Sequence, residues 1–124
     1  MLAATVLLSC SCAQTPTVPD EEDPGGRMSR AADSYTSCVA AEAEKDVANP
    51  ANAEDIAVAA HGRCWTAWDA YRDAARSTFS AKARSREEMQ LAHDRTDAHL
   101  RQFERETRRS VVDRLVERTL TKPK

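Results

Sequence analysis

Apolar residues recur every three or four positions from residue 32 onward: Ala32, Tyr35, Val39, Ala43 and Val47, with Cys38 beside them. That spacing puts them on one face of a helix. The helix is expected to stop near Asn49, because Pro50 disfavours helical geometry at the residue before it. A second stripe, Ile56, Ala57, Ala60, Cys64, Ala67, Trp68, Tyr71, Ala75 and Phe79, with Trp65 at its edge, predicts a second helix. Asn49 or Asn52 can cap it, Asn52 with Asp55 three residues on. From Gly62 to Pro123 there is neither Gly nor Pro, so the next break has to come from subtler signals. Ser77-Thr78-Phe79-Ser80 weakens helix, and Ser85-Arg86-Glu87-Glu88 is a capping box. A third helix is therefore expected from about Arg86 to Leu120. Its stripe is Met89, Ala92, Thr96, Leu100, Phe103, Thr107, Val111 and Leu115, widened by Val112, Val116 and Leu120. At about 1.5 Å per residue it would measure roughly 52 Å against about 27 Å for the first helix, so part of it overhangs or finds a partner.

Composition agrees with helices and warns of a thin core. Hydrophobic residues make up 41% of the 124, but 22 of them are Ala, and a methyl group buries little area. No stretch alternates apolar and polar with β-branched residues, which argues against a sandwich or barrel. Charged residues at 31%, mixed in sign, suit helices with one buried face. The fold class read from this is all-α: an antiparallel helical hairpin plus a long C-terminal helix, in a three-helix bundle.

The hairpin has a register. In an antiparallel pair, facing residues have numbers that sum to a constant. A turn centred on Ala51 sets that sum at 102, which is 38 plus 64. The same rule sets Tyr35 against Ala67 and Ala31 against Tyr71, so Cys38 and Cys64 fall on a shared apolar face. A Cys38–Cys64 disulfide is expected, which requires an oxidising compartment.

The N-terminal segment points to export. Residues 2 to 9, Leu-Ala-Ala-Thr-Val-Leu-Leu-Ser, are apolar and uncharged, far short of the roughly 20 residues that span a bilayer. Leu7-Leu8-Ser9-Cys10 resembles the lipobox of bacterial lipoproteins, in which a Cys after a small residue is lipidated and becomes the mature N-terminus. The resemblance implies a lipid on Cys10 and attachment to a bacterial membrane from its periplasmic face, and Ser11 is compatible with the outer membrane. Ser11-Cys12-Ala13 also offers a small-x-small site for ordinary cleavage, which would give a soluble or secreted product. The expected organisation is a signal segment over 1–13, a disordered Pro/Gly/acidic tether over 14–30, a helical domain over 31–120 and a tail over 121–124. A coil of the tether's length reaches roughly 23 Å.

Local catalytic signatures are missing. There is no G-x-S-x-G, no phosphate-cradling glycine loop and no H-E-x-x-H, and no two of His61, His93 and His99 are four residues apart. No enzyme activity, metal or cofactor is expected. Charge is uneven: residues 1–80 carry 6 basic and 12 acidic groups, and residues 81–124 carry 12 basic and 8 acidic. Arg101, Arg105, Arg108 and Arg109 cluster at helical spacing. Intrahelical pairing, Asp97 to Arg101 and Glu104 to Arg108, would absorb part of this charge.

The expected function is a non-catalytic, membrane-tethered cell-envelope protein that binds or modulates another envelope protein. The alternative is a binder of anionic surface, lipopolysaccharide or wall polymer, through the four arginines. Self-association through the C-terminal helix is a further possible contact, and nucleic acid is not expected as a partner.

Overall fold

The computed structural model describes residues 23–48 and 52–121, and among them all regular structure is helical. The helices are α1 (Pro24–Lys45), α2 (Ala53–Arg63), α3 (Trp65–Ser80) and α4 (Arg86–Thr121). The described residues thus form four helices where three were expected. The apolar stripe of the second helix runs in phase through Ala60, Cys64 and Trp68, but Cys64 leaves helical geometry at φ −97° and ψ 19°. Its N–H donates to both the Ala60 and His61 carbonyls, ending α2, and its own carbonyl accepts from the Trp68 N–H, opening α3. Gly62, two residues before the break, is the poorest helix former nearby.

α1 begins at Pro24, within the stretch assigned to the tether. Proline fits the first turn of a helix, where its missing N–H has no partner to lose. The other two helix starts follow their local signals. Asn52 accepts from the Asp55 N–H at 2.8 Å. At the capping box, Ser85 Oγ accepts from the Glu88 N–H at 3.1 Å, and the Glu88 carboxylate accepts from the N–H groups of Arg84 and Ser85.

The disulfide joins Cys38 and Cys64, with Cα atoms 6.0 Å apart. The register sum of 102 holds beyond it, since the Thr78 hydroxyl donates to the Pro24 carbonyl at 2.9 Å. α1 therefore runs antiparallel to α2 and α3 across the break at Cys64. At the other end of this pairing Arg63 donates to Glu42 at 2.9 Å and to Asp46 at 2.5 Å.

α4 packs on α2 and α3 through Ala92, Thr96, Leu100, Thr107, Val111 and Leu115, all buried. Thr96 is tolerated there because its hydroxyl donates to the Ala92 carbonyl at 2.7 Å. The ends of the expected stripe are exposed instead: Met89 before the first buried residue, and Val116 and Leu120 after the last. No helix among the described residues is long and apolar enough to cross a membrane.

Candidate functional site

Rings supply the core volume that alanine cannot. Both Trp, both Tyr and both Phe of the chain join His61 and His99 in one connected set of ring contacts. Tyr35 lies 5.0 Å from Trp68 between ring centroids, and Tyr71 lies 4.5 Å from Phe103. Such pairs add about 0.5–1.5 kcal/mol each beyond the area they bury.

Two tyrosine–histidine hydrogen bonds cross between helices within this set. The Tyr35 hydroxyl is 2.7 Å from His61 Nδ1, linking α1 to α2, and the Tyr71 hydroxyl is 2.5 Å from His99 Nε2, linking α3 to α4. Each bond lets a buried phenol keep a polar partner, which an unpaired hydroxyl in a core would lack. Burial pushes the Tyr71 phenol up to about 12 and raises Tyr35 as well, with the Glu104 carboxylate adding to the rise at Tyr35.

His61 faces outward from this network into a shallow groove of about 320 Å³ between α2/α3 and α4, lined by His61, Trp68, Asp97, Leu100, Arg101 and Glu104. Trp65 lies beside it, its ring 6.4 Å from that of His61 and 52% exposed. The guanidinium of Arg72 covers the Trp65 ring at 5.7 Å and is itself bonded to Asp69. The groove thus has an aromatic and aliphatic floor and charged walls.

The four arginines lie along one stretch of α4 and differ in their partners. Arg101 belongs to the groove. Arg108 is bonded to Glu104, as expected from the spacing, and reaches Glu54 of α2 at 3.5 Å. Its hydrogen bond to Glu104 holds the guanidinium charged above its ordinary range. Arg105 and Arg109 lie with Gln102 and Glu106 on the outer face of α4. The second expected pair, Asp97 with Arg101, is not formed, and Arg101, Arg105 and Arg109 make no ion pair among the described residues.

Among the described residues no group of three His, Cys, Asp or Glu is placed to hold a metal. Cys10 lies outside the described residues. Arg101 was legible as part of the arginine cluster, whereas His61 and Trp65 were not legible as a surface feature. Its available signal was the i, i+4 pair of His61 and Trp65, which projects two rings side by side from α2 and α3. Comparison with family models, curated proteins and solved structures found no match to this chain.

Proposed function

We propose that the chain is a lipid-anchored, non-catalytic helical module of the bacterial cell envelope that acts by binding another envelope protein. The exposed Trp65 beside the groove of His61, Trp68, Leu100 and Arg101 carries this reading. Tryptophan and arginine around a partly apolar depression are the side chains that concentrate binding energy at protein interfaces. The Cys38–Cys64 bond supports an oxidising compartment, and the lipobox-like Leu7-Leu8-Ser9-Cys10 supports the anchor. The helices in this reading form a stapled bundle that presents the groove as a rigid surface, so little ordering entropy opposes binding.

A photo-cross-linking residue placed at Trp65 in the full chain should yield a discrete protein adduct in cell envelopes, and one at exposed Ser110 on the far side of α4 should not. Absence of an adduct at Trp65, or the same adducts from both positions, would sink the proposal. The anchor has its own check: labelled fatty acid should enter the protein and be lost in Cys10→Ala. Soluble, unlabelled protein beginning at Gln14 would replace the anchor with ordinary cleavage.

A further inference from the structure

The groove beside His61 continues past Asp97. A second depression of about 260 Å³, lined by Arg76, His93, Thr96 and Asp97, adjoins it and shares Asp97 with it. The two make one trough with a helical run on each side, His61 to Arg76 on α2 and α3 and His93 to Glu104 on α4. The Tyr71–His99 and Glu54–Arg108 contacts show that the two runs are antiparallel. At 1.5 Å per residue the α4 wall is about 17 Å long, or three turns of helix.

The walls say what kind of backbone can lie between them. Apart from the break at Cys64, both are helix interior, so their N–H and C=O groups are already bonded within the helices. The floor offers little more, because Trp68, Leu100 and Thr96 are buried and the Thr96 hydroxyl is spent on the Ala92 carbonyl. An extended segment laid here would find few partners for its own backbone groups, whereas a helix brings them satisfied. Helices also pack into the furrow between two others at about 8–10 Å between axes.

The charges along the trough alternate. The Tyr71–His99 bond sets Arg76, five residues after Tyr71, level with Asp94, five residues before His99. Arg76, Asp97 and Arg101 therefore follow one another along the axis at intervals of about one turn. None of the three makes an ion pair among the described residues. Asp97 and Arg101 have the acid-first i,i+4 spacing that favours pairing within a helix, yet they stay apart. The other charges nearby are engaged: Glu104 with Arg108, Arg72 with Asp69, and Asp94 with Gln90.

We propose that the partner inserts an amphipathic helix along this trough. Its apolar side chains meet Trp65, Trp68 and Leu100, and an acid, a base and an acid on successive turns face Arg76, Asp97 and Arg101. This inference rests on the reading of the groove as the partner site and adds the structure and charge pattern that the partner brings.

The test uses the full chain with a photo-cross-linking residue in place of Trp65 or, separately, of Arg72, and mass spectrometry to find the partner residue each captures. The two positions are seven residues apart on α3, about 10.5 Å. A helix lying alongside advances about seven residues over that distance, and an extended segment about three. Captured residues six to eight apart in one segment are expected. A spacing of about three, capture from two segments remote in the partner's sequence, or an adduct of twice the chain's mass would overturn the proposal. With the probe at Trp65, Arg76→Glu, Asp97→Lys and Arg101→Glu should each lower the adduct yield about fivefold, the effect of losing one ion pair. Arg109→Glu, on the outer face of α4, should leave it unchanged. Thermal melts confirm that the variants are folded, and Gln replaces the reversed charge in any that is not. Yields indifferent to all three changes, or lowered equally by Arg109→Glu, would refute the charge pattern. Absence of any adduct at Trp65 refutes the partner site itself, whereas adducts with the wrong spacing refute only the helix.

Discussion

Reducing the Cys38–Cys64 bond should cost the protein a large share of its stability without changing its folded structure. The bond spans a sequence separation of 26 residues. On the loop-entropy model, closing a loop of that length removes about 12 cal/mol/K from the unfolded chain, or about 3.5 kcal/mol at room temperature. Domains of this size have only about 5–15 kcal/mol in total. The Ala-rich core offers few large side chains to make up the loss. The comparison is best made on one sequence, oxidised against fully reduced, because substituting the buried Cys64 would add a packing defect of its own. With an m value of about 1–1.5 kcal/mol/M, the urea midpoint should fall by about 2–3.5 M on reduction. The near-ultraviolet signal of Trp68 and the two tyrosines should be the same in both forms before denaturant is added, because the effect lies in the unfolded state. Midpoints that coincide would refute the entropic argument. A near-ultraviolet signal lost on reduction alone would show that the bond instead holds the native packing at the break between α2 and α3.

Alkaline pH should unfold the protein through its two tyrosines. In the unfolded chain both phenols ionise near the ordinary value of 10, whereas the folded state holds Tyr71 at about 12 and Tyr35 higher still than its ordinary value. The raised folded values mean this contribution is complete below pH 10 and is lost as pH climbs toward 12, by about 1.4 kcal/mol per pH unit for each tyrosine. Phenolate absorbance that grows only together with loss of helix supports this, and ionisation near pH 10 in protein that is still folded contradicts it. Leu100→Ala should cost about 2–5 kcal/mol in urea unfolding, because the side chain is buried beneath the groove. Leu120→Ala, at an 80% exposed position in the last turn of α4, should stay within about 0.5 kcal/mol of the parent. Equal effects at the two leucines would show that α4 does not pack in the register seen here.

Features set by neighbours within four residues could be read directly from the chain. The Asn52 cap, the Ser85–Glu88 capping box, the start of α4 at Arg86 and its continuation to the end of its stripe all depend on short-range hydrogen bonds and on a side-chain period that the chain carries locally. The Cys38–Cys64 pairing was also legible, because a short connection between two helices fixes their register by arithmetic alone. Tertiary structure decided the rest. The stripe through Ala60, Cys64 and Trp68 has unbroken helical phase, so nothing in its spacing marks the turn at the cross-linked Cys64. Pro24 can open α1 on local grounds, but the docking of that first turn beside Thr78, 54 residues away, is a tertiary contact. The offset of α4 against α2 and α3 decides which ends of its stripe are left exposed, which arginine enters the groove and which histidine meets which tyrosine. That offset comes from packing of side chains far apart in sequence, and no local period encodes it.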